Sequence, residues 1–556
     1  MFVNRTAAEA RLEILLLILK EYFVLNYSSF PFLIFISLTI LVYFLFPIKK
    51  YKWTVLLSAS VVFYLLVGYQ YAYYILFTTV STYFAARVID SVSSKSKALI
   101  KENKASWSKD DKKQFKKKIK VKKRIVLAFA LIANFGVLAF LKYYNFFSGS
   151  ILNAFGIASP VFSLVLPIGI SFYTFQSMGY IIDVYREKFP AEKNLAKYAL
   201  FVTFFPQIIQ GPISFYNQLA NQLYAPHKMD FTRLKYGCEL ILWGFFKKLI
   251  IADRAVSTIN MVLDNYNAYN GTTLTYTVLL YSIQLYADFS GGIDITRGIA
   301  QILGIDMAEN FRRPYFSRSI SEYWRRWHIT LGAWMKEYVF YPIAMSALFI
   351  NTGKRIKNSK FGSTKCGAYI GKVLPTSVAS LIVFLIVGIW HGASWKYVGF
   401  GLWNGSIIML STLLKPLYEI SLKKLHINPD FFLWRLFQIF RTFLIIAVGY
   451  VFDIAPEVRD AFSTIFRILF QQNLIIGFQQ IKSIQFGTGF VAFGTAVMLF
   501  VSIIQERNPE ITIRQRLDKI PFLIRWLFIF VSLLFVLVFG IYGPGFHPAD
   551  FVYAQF

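Results

Sequence analysis

The chain has 556 residues, of which 56% are hydrophobic, 19% are aromatic and only 16% are charged, and its mean hydropathy is +0.50. A soluble globular protein of this length needs much more polar surface, so the composition excludes that class and indicates lipid as the solvent. The net charge of +30 does not indicate a nucleic-acid partner, because basic loops are ordinary in membrane proteins.

The first apolar stretch is short. ILLLILK at 14–20 follows Glu9 and Glu13, precedes Glu21, and has no small-residue cleavage site after it. It therefore lacks the pattern of a removable targeting segment, and we expect a short interfacial helix.

Many longer apolar segments follow, and apolar runs of about 17–25 residues cross a bilayer as helices. They predict an all-α polytopic membrane protein with about 11–13 membrane-embedded helices, together with interfacial and re-entrant helices, in a single domain over 1–556. The clearest segments are 31–46, 52–66, 71–89, 125–141, 275–287, 377–390, 397–414, 434–452, 487–504 and 522–541, and more broken ones lie near 160–182, 198–213 and 237–252.

A strongly basic stretch joins two of these segments at about 93–124. Residues 95–124 contain 13 Lys and 1 Arg against three acidic residues, a net charge of +11. By the positive-inside rule, this stretch is predicted to be a cytoplasmic loop.

The segment 317–335, SRSISEYWRRWHITLGAWM, has helical periodicity. Ser319 and Glu322 have the spacing of a capping box, which predicts a helix that begins at Ile320. On one continuous helix, Trp324, Trp327, His328, Leu331 and Met335 would share an apolar face at the membrane interface. A simple anchor needs no imidazole there, so His328 is a candidate functional residue.

A second histidine closes the apolar run that ends in VGIWHGASW at 387–395. Gly388 and Gly392 form a G-x-x-x-G pair, and Gly401 and Gly405 form another, a spacing that lets a neighbouring helix approach closely. Trp390 and Trp395 would screen the imidazole of His391 from lipid. A packing histidine is the alternative, but ionisable residues within membranes usually mark function.

Familiar catalytic motifs do not fit the sequence. It has five histidines but no His pair at i, i+4 for zinc, no G-x-S-x-G elbow and no Walker A loop. A neutral histidine can still take the proton of an alcohol that attacks a thioester. The residues therefore favour acyl transfer to a hydroxyl without a metal ion.

Several long motifs occur in an order that resembles the membrane-bound O-acyltransferase family, in the bacterial branch of alginate O-acetyltransferases and teichoic acid D-alanyl transfer proteins. They are FLKYYNFF (140–147), LPIGISFYTFQSMGYIIDVYR (166–186), FFPQIIQGPISFYNQL (204–219), YADFSGGIDITRGIAQILGI (286–305), ENFRRPYFSRSISEYWRRWHITLGAWMKEYVFYPI (309–343), GIWHGASWKYVGFGLWNG (388–405) and the terminal FVYAQF. The motif core spans about 140–405, and C-terminal helices occupy 430–556.

The resemblance implies a helical bundle around a central funnel or tunnel that crosses a thinned part of the membrane. His391 matches the family's catalytic histidine, and His328 matches the second histidine. Trp324, Arg325 and Arg326 would frame the cytoplasmic mouth, and Asp288 would support the core. The sequence departs from the family at Phe215, where an arginine is usual.

The function implied is an O-acetyltransferase of the bacterial plasma membrane that acts on an exported cell-surface polysaccharide. The donor would be acetyl-CoA, and a secreted SGNH-hydrolase-like acetyltransferase would complete the transfer. One alternative is D-alanyl transfer to teichoic acid from the phosphopantetheine thioester of an acyl carrier protein. The alternative from another class is a lipid or solute transporter or flippase, which would need two related halves with broken helices.

Overall fold

The computed structural model describes residues 29–158, 160–162, 164–484 and 488–542. The expected interfacial helix at 14–20 and the terminal FVYAQF motif lie outside these ranges. Within them the chain is helical, and its one isolated β-bridge pairs Phe311 with Trp327 in antiparallel fashion.

Helices overlap each apolar segment that the sequence indicates, although the helix in the segment near 160–182 begins only at Ile170. In the first half of the chain they are α1 (Phe30–Leu45), α2 (Lys52–Gly68), α3 (Ala72–Glu102), α4 (Lys109–Ala154), α5 (Ile170–Tyr185), α6 (Leu195–Thr203), α7 (Phe205–Gln210), α8 (Tyr216–Tyr224), α9 (Phe231–Phe245), α10 (Asp253–Leu263) and α11 (Gly271–Ile302). In the second half they are α12 (Ile320–Arg326), α13 (Ile329–Met335), α14 (Tyr341–Ala344), α15 (Ala347–Lys357), α16 (Lys365–His391), α17 (Trp395–Leu413), α18 (Lys415–Lys424), α19 (Phe432–Ile454), α20 (Val458–Phe470), α21 (Leu474–Ile484), α22 (Thr488–Arg507), α23 (Ile513–Leu517) and α24 (Phe522–Phe539).

An all-α polytopic membrane protein is therefore confirmed. Six helical stretches in the described residues are long and apolar enough to cross a bilayer, or seven if the α17–α18 pair, bent by 59°, is one broken span. The remaining embedded segments are shorter or more polar. Helix α11 has 32 residues and is buried along most of its length, so it packs against protein rather than lipid.

The basic stretch at 93–124 is mostly helical, and its prediction as a loop is wrong. Helix α3 continues to Glu102 and α4 begins at Lys109, so only a short turn separates them. Lysine and glutamate are good helix formers, and both helices extend beyond their apolar parts for that reason. Near the base of this hairpin, Glu187 pairs with Lys123 at 2.6 Å and with Lys97 at 2.8 Å.

The single amphipathic helix expected over 320–335 is also interrupted. Helix α12 begins at Ile320 as predicted, because the hydroxyl of N-cap Ser319 accepts from the Glu322 amide at 3.2 Å. The helix then stops at Arg326, and α13 begins at Ile329. His328 between them has φ 45° and ψ 54°, a left-handed conformation that ends regular helix. The predicted common face of Trp324, His328 and Met335 therefore does not form.

A buried ion-pair network stabilises the packing of α10 and α11 against the π-helical turn Phe246–Ala252. Lys248 lies 2.7 Å from Asp288 and 2.9 Å from Asp253, and all three side chains are almost completely buried. Next to it, Lys247 lies 2.7 Å from Asp294. Removing one partner of such a pair leaves an uncompensated buried charge.

We expect Lys248→Met to lower the free energy of unfolding by about 3–5 kcal/mol, because two carboxylates then lose their counter-ion. Lys415→Met is the matched control, since Lys415 meets Glu419 at 3.8 Å on an exposed face. Thermal unfolding of the purified protein in detergent measures both. Equal stability of the two variants would contradict a structural role for the network.

Candidate active site

His391 is the last residue of α16, at a point where two helices meet closely. A Cβ atom on Gly388 would lie 2.3 Å from the Tyr397 carbonyl oxygen and 3.0 Å from Gly401 Cα in α17. The close approach predicted from the glycine spacing is thus confirmed for Gly388 and Gly401. Gly392 lies beyond the helix end in extended backbone with φ −179°, so the helix does not continue to Trp395.

His328 is held by the loop that precedes α12. The Ile329 amide donates to the Asn310 carbonyl at 3.0 Å, next to the Phe311–Trp327 bridge. The Asn310 side-chain oxygen accepts from the Thr330 amide at 3.0 Å and lies 3.3 Å from His328 Nδ1. The Thr330 N–H can only donate, so the Asn310 side-chain atom that it meets is the oxygen. An amide oxygen can only accept, so His328 Nδ1 carries a proton and donates it to Asn310 Oδ1.

Both histidines lie close to the Trp390 indole. The His328 ring centroid is 6.0 Å from that of Trp390, and the His391 ring centroid is 5.2 Å from it. Phe289 covers His328 at 4.9 Å, and Phe400 covers His391 at 5.2 Å. His328 is 2% exposed and His391 is 8% exposed. Both imidazoles therefore lie in an aromatic enclosure where hydrogen bonds and charges act strongly.

A partly buried lysine secures the end of the helix that carries His391. Lys142 of α4 donates from Nζ to the Trp390 carbonyl oxygen at 2.5 Å, and its ammonium lies 5.7 Å from the Trp390 ring centroid. Carbonyl groups in the last turn of a helix lack intrahelical donors, and a lysine there satisfies them and interacts favourably with the helix dipole. Lys142 thereby fixes the backbone next to His391.

A cavity of about 920 Å³ lies beside this enclosure, and Asn310 forms part of its wall. Both histidines are absent from the described residues that line it. Seven basic side chains outnumber four acidic ones in the lining. The basic residues are Lys247, Arg297, Arg312, Arg313, Arg325, Arg326 and Arg514, and the acidic ones are Glu239, Asp294, Glu309 and Glu510.

Some of these cations are already paired. Glu506 of α22 binds Arg313 at 2.6 Å and Arg326 at 2.9 Å. Burial acts to raise the pKa of Glu309, but the positive charges of Arg297 and Arg312 outweigh burial and hold this pKa below its ordinary value. Arg325 is exposed and has no ion pair among the described residues. The cavity therefore has a surplus of positive charge, which suits an anionic ligand.

Comparison with known proteins gives the family. The family model described as the membrane-bound O-acyltransferase family matches residues 65–356, more than half of the chain. The chain belongs to the membrane-bound O-acyltransferase family. The matched residues include His328 and end before His391.

Relatives of three kinds are similar to this family member. The probable alginate O-acetylase of Azotobacter vinelandii is 34% identical over 297 residues, which is 52% of this chain and 54% of the relative. The peptidoglycan O-acetyltransferase of Helicobacter pylori is 31% identical over 366 residues, 61% of this chain and 63% of the relative. The teichoic acid D-alanyltransferase of Bacillus subtilis is 28% identical over 260 residues, which is 45% of this chain and 60% of the relative. The chain spans less than two thirds of the length of these relatives.

The structure brings only some of the predicted site residues of this O-acyltransferase family member together. Arg325 and Arg326 line the cavity, and His328, Trp390 and His391 form the enclosure. Trp324 does not line the cavity; it packs at 6.1 Å on Phe400 at the edge of the enclosure, and its indole donates to Asn404 Oδ1 at 3.2 Å.

Asp288 and Trp395 have partners outside the cavity and the enclosure. Asp288 belongs to the buried ion-pair network with Lys248, and the supporting role expected of it stays a prediction. Trp395 is 54% exposed and packs at 5.4 Å on Phe146.

Two further residues of the site were not singled out in the sequence analysis. Lys142 could have been found as the one charged residue in the motif FLKYYNFF, because a lysine within an apolar segment needs a partner. Asn310 gives no such signal, because its contacts with His328 and Thr330 depend on the interruption of the helix.

The Gly388 contact gives a stability prediction. We expect Gly388→Ala to destabilise the protein by about 1–3 kcal/mol, because the new methyl group overpacks the α16–α17 contact. Gly136→Ala in α4 is the control, since a Cβ there meets no atom within 4 Å and alanine favours the helix by about 0.5–1 kcal/mol. Thermal unfolding compares the two variants, and a harmless Gly388→Ala would contradict the close packing.

Proposed function

We propose that this protein is a membrane O-acyltransferase that moves an acyl group, most directly acetyl, from a cytoplasmic thioester to a hydroxyl of an exported cell-surface polysaccharide. The observation that carries the proposal is that His328 and His391 both lie against Trp390, beside a cavity with surplus positive charge. Family membership and the activities for which the relatives are named support it.

The reaction needs one base, and His391 is the proposed one. The acceptor oxygen attacks the thioester carbonyl carbon while its proton passes to the His391 imidazole. The carbonyl electron pair moves to oxygen and returns as the carbon–sulfur bond breaks, and the departing thiolate takes up the proton. His328, whose Nδ1 proton is directed to Asn310, orients the reacting groups or shares the proton transfer through Nε2.

Acetyl-CoA is the proposed donor, and the basic cavity is its proposed binding site. Arginine recognises phosphate through paired hydrogen bonds. Arg325 and Arg312 have exposed side chains at the cavity, although Arg312 Nε also binds Glu309 at 2.9 Å, whereas Arg313 and Arg326 are held by Glu506. We therefore assign initial phosphate capture to the first pair.

The proposed setting is a bacterial plasma membrane, with the basic α3–α4 hairpin in the cytoplasm according to the positive-inside rule. The acceptor hydroxyl then lies on the opposite side, and a secreted SGNH-hydrolase-like partner completes transfer to the polysaccharide. Membrane lipids surround the six apolar spans. The relatives named as alginate and peptidoglycan acetylating proteins favour a glycan acceptor.

His391→Ala is expected to lower acetyl transfer by about 10²–10⁴-fold, because the proposed base is lost. Membranes of cells that produce the protein are supplied with acetyl-CoA labelled in the acetyl group, and label is followed into the polysaccharide fraction. His426→Asn is the control, since His426 is exposed and asparagine tolerates its φ of 51°. Wild-type transfer by His391→Ala would overturn the assignment.

The same assay distinguishes the D-alanyl alternative, which the 28% identical teichoic acid D-alanyltransferase favours. Label from a D-alanyl carrier-protein thioester, with none from acetyl-CoA, would replace the acetyl donor by an acyl carrier protein. Wild-type membranes that move neither acyl group would contradict acyl transfer and leave the transporter alternative.

Lys142→Met should lower acyl transfer by about 10- to 100-fold, because an unsecured helix end misplaces His391 relative to the donor. Lys52→Met is the matched control, as Lys52 also donates to a backbone carbonyl, that of His227 at 3.1 Å, and has no contact with His328, Trp390 or His391 among the described residues. Rates are normalised to folded protein by size-exclusion chromatography. A larger loss of transfer in Lys52→Met would contradict the specific role of Lys142.

A further inference from the structure

Asn310 has one end of its side-chain amide fixed by the protein. The residue is 1% exposed. Its Oδ1 accepts from the Thr330 amide at 3.0 Å and from the Thr330 hydroxyl at 2.8 Å, in addition to the contact with His328. Since oxygen occupies this end, the Nδ2 group must occupy the other.

The Nδ2 group at that other end is buried and has no hydrogen-bond partner among the described residues. An unsatisfied buried donor is costly, and such groups in folded proteins need an explanation. The same residue forms part of the wall of the basic cavity. Because Nδ2 itself has almost no accessible surface, a ligand reaches it only by extending past this wall of the cavity, and an acceptor atom brought there would remove the cost.

The ligand's chemistry follows from the rest of the lining. The arginines of the cavity suit phosphate groups, whereas Asn310 offers a neutral donor next to His328. A thioester donor has phosphates at one end and an acceptor-only carbonyl oxygen at the other. The two kinds of lining group therefore match the two ends of one molecule.

We propose that Asn310 Nδ2 donates a hydrogen bond to the thioester carbonyl oxygen of the donor and retains it as that oxygen becomes an oxyanion. Asn310 is then a catalytic residue with two tasks, since its Oδ1 also sets the tautomer of His328. The inference rests on the proposed thioester donor. The electron pair that moves onto the carbonyl oxygen when the acceptor attacks is stabilised by this donor until the carbon–sulfur bond breaks.

The test compares two stable analogues on the full-length purified protein. One is the ketone in which a methylene replaces the sulfur of acetyl-CoA, and it keeps the carbonyl oxygen. The other is S-ethyl-CoA, which lacks it. We expect the wild type to bind the ketone about 3- to 10-fold more tightly, the usual effect of one hydrogen bond.

Asn310→Asp keeps an acceptor for Thr330 and removes the Nδ2 donor, so the ratio of the two affinities should fall to about one. Asn404→Asp is the matched control, because Asn404 is equally buried and its Nδ2 is already bonded to the Phe400 carbonyl at 2.9 Å. This control should keep the wild-type ratio. Because both affinities are measured on one protein, a general loss of binding cancels from the ratio.

A wild-type ratio in Asn310→Asp, or no preference in the wild type, would overturn the inference while the donor assignment stands. Failure of the wild type to bind either analogue would overturn the CoA donor and, with it, this inference. If Asn310→Asp does not fold, Asn310→Ala decides by the same ratio. In acetyl transfer we expect Asn310→Asp to lower kcat by about 10²-fold with little change in KM, as for loss of an oxyanion donor.

Discussion

Helix α16 ends at His391 inside the protein, and the carbonyl groups of its last turn need donors there. Lys142 meets this need with a hydrogen bond to the Trp390 carbonyl. The close contact of Gly388 with Gly401 sets the distance to α17 and thus the place at which the helix ends. With this end fixed, the Trp390 indole lies close to both imidazoles. The candidate site therefore depends on how one helix is terminated.

The second imidazole depends on another interruption of regular structure. Left-handed backbone at His328 separates α12 from α13, and the Phe311–Trp327 bridge holds the loop that carries Asn310 against the break. Strained backbone of this kind is kept where the surroundings determine it, and it occurs preferentially at functional sites. Asn310 therefore lies between the aromatic enclosure, which contains His328, and the basic cavity, whose wall Asn310 partly forms. Binding of an anionic ligand and proton transfer are thus assigned to adjacent but different surroundings.

Much of this architecture could be predicted from the sequence. The apolar segments correspond to helices, the start of α12 at Ile320 follows from its cap, and the glycine spacing near His391 indicates a close helix contact. These features are local, because periodicity and capping act within a few residues. The interruption at His328 could not be predicted, since the helical pattern of 317–335 continues through it and the bridge to Phe311 overrides that pattern. The positive charge over 93–124 indicates the side of the membrane and not the secondary structure, so it did not predict the long helices there.

Some of the site residues could likewise be identified from the sequence, and others could not. His328 and His391 stand out as imidazoles in apolar surroundings, and a buried charge is conspicuous in any membrane sequence. Asp288 meets Lys248 across a helix pair, a contact that spacing along the chain does not reveal. Trp324 has an aromatic partner and an amide acceptor away from the cavity. Asn310 became a candidate only when the orientation of its amide and the adjacent cavity were known.

The central claim is that one thioester donor extends from the arginines of the cavity to the enclosure around Trp390. An electron cryo-microscopy structure of the full-length protein in a lipid nanodisc with the ketone analogue of acetyl-CoA tests it most directly. The account predicts density for phosphates beside Arg312 and Arg325 and the ketone oxygen within hydrogen-bonding distance of Asn310 Nδ2. Density for the analogue outside the cavity, or with its acyl end directed away from Asn310 and His328, would contradict it.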